Sequence, residues 1–483
     1  MEQKHRQHPV KILGYTKKNF WLLSIPLLRG LVALQFDFYA WVEGAWLDIL
    51  IVSLILVFAL SRWFFTSYSF HDDTINVSSG VFFRSKSSVP FSNIASLSVE
   101  KSFLLKPFRA CAIYVDTNSG SRSKADISLT VSKKRLAELS LMYSQFTAAS
   151  TMKYSHYPSR AHLMFFSLIF SNTLSGVILL ATLIYQSGQL VGNELQSRVV
   201  STLNNMTKKI ALVLPKTAFV LSVVLLCGWA FSFVLNLIRH WNFSATRQSD
   251  SIAINNGFMT NRSYFLSLKK VNYVDFRQRL LSIIFRISSV HIHCTGYGKK
   301  KREMAVLIPI TTKNEVFGSM SMLLPDFPKP ETQIRPTFGQ ISRFIWDPIM
   351  CILAIPIVAL TLMLFFPNWV EVIVLASIIF EIPLVWLLIV KLTAKFATGI
   401  GYTNKVYTLK YCKFYEYHTI LLPEDKISSV KILRNPFQRL SDNCNLVIYT
   451  NAEHTMTHCI KYLTYSEVVD FLSEKGIDMA EDE

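Results

Sequence analysis

A chain of 483 residues, 51% of them hydrophobic and with a mean hydropathy of +0.31, is too apolar for an ordinary soluble globule. Its length allows three domains of about 150 residues each. The formal charge of +18 suits nucleic acid or an anionic membrane surface, so the position of the charge has to decide between them.

The N-terminal arm, 1–18, is polar and basic and carries no secretory cleavage pattern. Six apolar runs follow at 20–34, 47–65, 163–185, 210–237, 344–366 and 370–390. Each is near the length of about 20 residues that a hydrocarbon core requires, and together they predict six transmembrane helices in three hairpins. The first loop carries Asp37, Glu43 and Asp48 and no base, whereas the arm and the first two long polar stretches are strongly basic. The positive-inside rule therefore predicts a multi-pass protein of the cell membrane with both termini and all three polar domains in the cytoplasm. The divisions are a basic arm at 1–18, hairpins at 19–66, 161–239 and 343–391, and domains at 67–160, 240–342 and 392–483. The last domain ends in an acidic tail.

The polar stretches repeat one another. Ile94, Leu97 and Val99 follow Pro90; Val271, Val274 and Phe276 follow Ser267; Ile427, Val430 and Ile432 follow Pro423. The spacing i, i+3, i+5 recurs with a basic residue beyond it, so the chain reads as a triplicated unit. An alternating strand precedes each motif and reaches a turn at Gly80 or Gly257, with Lys413 at the third position. Strands after each motif, one ending at Thr117, Thr295 or Thr450, give way to a helical period from Ser132, Thr312 or Thr464. The last two helices open with the capping-box pattern Thr312/Glu315 and Thr464/Glu467. The predicted class is an α+β membrane protein whose cytoplasmic domains are β-barrels or sandwiches, each closed by a C-terminal helix.

The Gly80 and Gly257 turns, the Pro90-Phe-Ser-Asn-Ile94 and Pro423-Glu-Asp-Lys-Ile427 openings and the threonine-ended strands resemble the bacterial pleckstrin-homology-like, membrane-flanked domain family. Three copies and six spans resemble its YdbT-like branch. The resemblance implies a pleckstrin-homology-like barrel, a multi-pass membrane protein and a smaller membrane protein of the same family as partner. It also implies an association with envelope stress and resistance to membrane-active peptides.

Candidate contact residues come from the bases beyond each motif: Lys101, Lys106 and Arg109, then Arg277, Arg279 and Arg286, then Arg434 and Arg439. Lys299, Lys300, Lys301 and Arg302 sit at a predicted hairpin tip. Each base beside an anionic inner leaflet adds about 1 kcal/mol of attraction. The plainer alternative is a solvated face kept basic by topology. The near-neutral third domain suits a protein partner better than lipid.

Arg29 and Glu381 lie inside predicted spans and are candidates for an intramembrane ion pair. His291, His293 and Cys294, with His454, His458 and Cys459, invite a metal reading, but the two groups share no fixed spacing and no metal is expected. Seven scattered cysteines without a Cys-x-x-Cys pair argue for free thiols in a reducing compartment. No phosphate loop, nucleophile elbow or metalloprotease motif occurs, so neither enzyme nor cofactor is expected. Topology accounts for the positive charge, so nucleic acid is not an expected partner. These features point to a non-enzymatic membrane scaffold that binds a partner protein or anionic lipid. A transporter with a pathway between the spans is the alternative.

Overall fold

The computed structural model describes residues 4–19, 38–71, 73–81, 83–103, 105–117, 125–146, 154–169, 171, 201, 216–248, 250–258, 260–294, 297, 305–450 and 456–477. It divides into two compact units. The first comprises Met1–Ser155, Thr246–Lys270 and Cys294–Lys301; the second comprises His156–Ala245, Val271–His293 and Arg302–Glu483.

The N-terminal segment holds β1 (His5–Arg6), α1 (Lys11–Asn19) and the long helix α2 (Phe38–Phe64). Next come β2 (Ser67–His71), β3 (Thr74–Ser79), β4 (Ser85–Pro90), β5 (Ile94–Lys101), β6 (Ala110–Thr117), β7 (Ile127–Ser132) and α3 (Lys133–Phe146). A short β8 (Tyr154–His156) and the apolar helices α4 (Arg160–Ile169) and α5 (Lys216–His240) lead to the second set. That set is β9 (Ser244–Gln248), β10 (Ser251–Asn256), β11 (Asn261–Ser267), β12 (Val271–Arg279), the short helix α6 (Leu280–Ile284), β13 (Ile287–Cys294), β14 (Val306–Thr312) and α7 (Lys313–Leu323). After α8 (Ile341–Phe365) and α9 (Val370–Ala394) the third set follows. It is β15 (Gly399–Thr403), β16 (Val406–Lys413), β17 (Glu416–Pro423), β18 (Ile427–Leu433), the short α10 (Pro436–Arg439), β19 (Asn443–Thr450), β20 (Met456–Thr464) and α11 (Tyr465–Glu474).

The same order of three strands, three more strands and a helix thus occurs three times. Between the halves lies a three-residue 3-10 turn, Phe91–Asn93, Leu268–Lys270 or Glu424–Lys426. Pro90 and Pro423 precede two of these turns at φ −64° and −60°, the angle the pyrrolidine ring imposes. The motif triads follow at once. Ile94, Leu97 and Val99 are buried, as are Val271, Val274 and Phe276, whereas Ile427, Val430 and Ile432 are half-buried.

In the first unit, Tyr68 and Ile75 from the first hairpin meet Leu97, Ile113 and Leu129 from the second half, and Leu139 of α3 closes that core. The second unit repeats the plan: Tyr407, Leu409 and Ile420 face Leu446, Ile448 and Ile460, closed by Val468, Phe471 and Leu472 of α11. Thr312 and Thr464 do cap the helices they were expected to start, but neither hydroxyl makes a capping bond. The complete capping box belongs to Asn435 and Gln438 at α10.

Gly80 and Gly257 have φ of +128° and +102°, where an added Cβ would strike the carbonyl oxygen of Phe83 or Thr260. The third hairpin manages without glycine because its loop is only Phe414 and Tyr415, with Phe414 itself at φ 51°. Gly257→Ala should therefore cost about 1–3 kcal/mol, read as faster amide exchange in β10 and β11.

Three helices among the described residues are long and apolar enough to cross a membrane: Val223–His240, Ile341–Phe365 and Pro367–Ala397. The predicted run 47–65 falls on α2, whose Leu50–Phe64 part is a shorter apolar helix. Run 20–34, most of 163–185 and the start of 210–237 lie outside the described residues.

Candidate functional site

The three sets of strands are joined through their sheets. In the first unit β7-β6-β5-β11-β10 are consecutive in a seven-stranded sheet, so β5 of the first set pairs with β11 of the second. The register runs from Asn261 opposite Lys101 to Leu266 opposite Ser96. In the second unit the order is β14-β13-β12-β17-β16-β15, so β12 of the second set pairs with β17 of the third. There the register runs from Val274 opposite Leu421 to Arg279 opposite Glu416. Each pairing removes an exposed strand edge, which would otherwise be a template for misassociation.

Each seam carries a cross-strand Arg–Glu pair, and the two have opposite polarity. Glu100 of β5 accepts from Arg262 Nη2 of β11 at 3.3 Å. In the other seam Arg279 of β12 donates from Nη2 at 2.7 Å and Nε at 3.0 Å to Oε1 of Glu416 on β17. Exchanging partners between the seams would set Glu100 against Glu416 and Arg279 against Arg262. Like charges on paired strands are destabilising, so polarity selects which edge meets which.

The β12–β17 seam holds a buried polar constellation. Side chains alternate along a strand, so Tyr273, Asp275, Arg277 and Arg279 share one face of β12, and His291 and His293 share one face of β13. Asp275 is buried and accepts from Arg277 Nε at 2.6 Å, while its two oxygens lie 3.1 and 3.2 Å from His418 Nδ1 of β17. Arg277 Nη2 is 3.2 Å from His293 Nε2. The His293 ring stacks on Tyr273 at 4.2 Å, and Tyr273 meets His458 edge-on at 5.0 Å. The circuit closes through the Tyr411 hydroxyl, 3.0 Å from His458 Nδ1, and the stacking of Tyr411 on His418 at 5.2 Å. Seven side chains from five strands of two sets form one ring.

Burial and the Asp275–Arg277 pair set the electrostatics of the ring. Burial pushes the Asp275 carboxyl up, but the Arg277 charge and the His418 hydrogen bond outweigh it and hold the group well below the usual carboxylate range. Burial, helped by the Arg277 charge, pushes His293 down to about 3, and burial pushes His458 down to about 4. Both are therefore neutral at pH 7, and the Asp275 carboxylate is held against the Arg277 guanidinium. Burial likewise pushes the Tyr273 and Tyr411 phenols up, so neither ionises near neutrality. Among the described residues, no three His, Cys, Asp or Glu side chains converge to hold a metal ion. The arrangement suits register fixing: a one-residue slip of β17 would turn His418 to the opposite face and away from Asp275.

The residues named from sequence fall in several places. Arg277 is turned into the seam and paired with Asp275, and Arg279 is paired with Glu416. Lys101 ends β5 half-buried, whereas Lys106 and Arg109 are exposed together on the turn before β6. Arg286 is exposed on the corresponding turn before β13, and Arg439 on α10. Arg434 lies 3.6 Å from Asp442 and over the Tyr465 ring. Glu381 is half-buried within α9. Arg29, Lys299, Lys300, Lys301, Arg302 and His454 lie outside the described residues. Asp275, Glu416 and His418 were missed. The available signal was a carboxylate in the otherwise apolar triad strand, Val274-Asp275-Phe276.

Comparison with known proteins gives two findings. The family model described as "Bacterial PH domain" matches residues 24–146 and 209–318, each segment taking in an apolar stretch and then the first or second set of strands, with the third set outside both. The "UPF0699 transmembrane protein YdbT" of Bacillus subtilis (strain 168) is 19% identical over 347 residues, covering 67% of this chain and 68% of the relative. No solved structure matches.

Proposed function

The chain belongs to the bacterial PH domain family, and we propose from that premise that it is a non-enzymatic membrane scaffold. In this reading six spans in three hairpins cross the cell membrane, with both termini and three PH-like domains in the cytoplasm. The domains bind a smaller membrane protein of the same family and the anionic inner leaflet, in the service of envelope stress responses or resistance to membrane-active peptides. The observation that carries the proposal is the sheet shared by β12 and β17. A chain that devotes a buried ring of seven side chains to joining two of its strand sets is built to hold positions. Membrane association is supported by the transmembrane relative and by the three long apolar helices.

Crosslinking in native membranes followed by capture of the tagged full chain tests this. A smaller single-copy PH-like membrane protein should be recovered at a fixed ratio. Recovery of the chain alone, together with solute uptake by proteoliposomes that depends on Glu381, would contradict the scaffold in favour of transport.

A further inference from the structure

In each set the turn that follows the motif strand is apolar and basic at once. The first carries exposed Phe103, Lys106, Phe108 and Arg109; the second exposed Ile284, Phe285 and Arg286; the third exposed Phe437, Arg439 and Leu440. The exposure is large where it matters: 64% for Ile284, 62% for Phe285, 80% for Phe437 and 88% for Leu440. Large apolar side chains held in water beside bases are characteristic of surfaces that meet a charged amphipathic phase.

Register adds a second element. Arg279 at the end of β12 lies opposite Glu416 at the start of β17, so the Phe414 loop sits at the same end of the sheet as the α6 turn. Phe414 is 70% exposed and follows the exposed Lys413. The first unit does the same, with Asn261 opposite Lys101 placing exposed Phe258 beside the turn of Phe103 and Phe108.

In the second unit this end of the sheet lies against the apolar hairpin of α8 and α9. Leu280, which opens the turn, packs with Phe344, Val390 and Ala394 at the hairpin's base. The Tyr417 hydroxyl donates to the Val390 carbonyl at 2.9 Å, and Arg343 Nη2 donates to Ser441 Oγ at 2.6 Å, tying the α10 turn to the start of α8. The Tyr415 hydroxyl donates to the Pro383 carbonyl at 3.1 Å. Pro383 lies roughly two helical turns, about 12 Å, further into the apolar run than Lys391. The loop therefore reaches along α9 past its basic end.

We propose that the α6, Phe414 and α10 turns are seated in the headgroup layer of an anionic bilayer, with Ile284, Phe285, Phe414, Phe437 and Leu440 in the acyl boundary and Lys413, Arg286 and Arg439 on lipid phosphates. The occupant is lipid because charge and apolarity coincide on turns packed against a membrane-length hairpin. This names the lipid-facing surface of the scaffold proposed above and rests on its membrane placement, not on its protein partner.

The full chain, reconstituted in phosphatidylcholine bilayers with or without phosphatidylglycerol, tests the proposal when it carries p-benzoylphenylalanine at position 285, 414 or 425. Asp425 is exposed at the opposite end of β17 and serves as the reference. On irradiation, positions 285 and 414 should form lipid adducts, more with phosphatidylglycerol present, and position 425 should not. Arg286→Ala should lower the phosphatidylglycerol-dependent yield at 285 about fivefold, equivalent to about 1 kcal/mol. Equal labelling at 285 and 425, labelling indifferent to lipid charge, or crosslinks to protein in place of lipid would overturn it. Partner capture is read separately, so failure of either proposal leaves the other measurable.

Discussion

Asp275→Ala should loosen the β12–β17 seam by about 3–5 kcal/mol, the cost typical of breaking a buried ion pair from one side. The substitution leaves the Arg277 guanidinium in the seam without its carboxylate and His418 Nδ1 without an acceptor. A chain of two units has no single unfolding midpoint, so the quantity to measure is the opening free energy of the β12 and β17 amides by hydrogen exchange. Replacing both partners, as Asp275→Leu with Arg277→Met, should recover most of the loss, because two apolar groups leave no charge unpaired. If the single variant protects these amides as well as the parent chain does, the ring does not hold the seam.

Acid should open the same seam. His293 and His458 have folded pKa values of about 3 and about 4, below the ordinary histidine value of 6.5. Burial pushes His291 in the same direction. Their contribution to stability is fully present above pH 6.5. It falls as the pH drops from there towards the folded values, because over that range the unfolded chain binds protons that the folded one refuses. The slope is about 1.4 kcal/mol per pH unit for each such histidine. Asp275 works lower: its depressed pKa contributes stability above about 3.8 and loses it only as the pH falls further. Amide exchange of β12 and β17 compared at pH 7 and pH 5 should therefore show loss of protection in the seam. His293→Phe and His458→Phe should flatten the dependence. A pH-independent seam would mean that these imidazoles accept protons in place.

Much of this architecture was legible in the residues. The triads at i, i+3, i+5 marked the strands that build each core, because burial on one face of a strand leaves a pattern in sequence. Gly80 and Gly257 marked turns because only glycine accepts that backbone without a clash. The seams were not legible in the same way. Which sheet edge remains open, and which later strand covers it, depends on pairings between residues as far apart as Glu100 and Arg262 or Arg279 and Glu416. Arg277 read as a surface base because charge alone does not reveal direction; only the neighbouring Asp275 hinted that its strand was occupied on both faces. Nothing in the sequence sets Phe285, Phe414 and Phe437 apart, since exposure is a property of the folded chain. The capping-box pattern at Thr312 and Thr464 placed the helix starts correctly, but their hydroxyls make no capping bond.

The second and third sets meet edge to edge through β12 and β17. A cross-strand disulfide would report this pairing, because Arg279 and Glu416 are directly opposed, at a separation that suits a disulfide. Membranes containing the full chain with both Arg279→Cys and Glu416→Cys, mildly oxidised, should yield one disulfide within each chain, absent from either single variant. Free thiols that persist at both positions, or a disulfide that forms only between chains, would contradict the β12–β17 pairing.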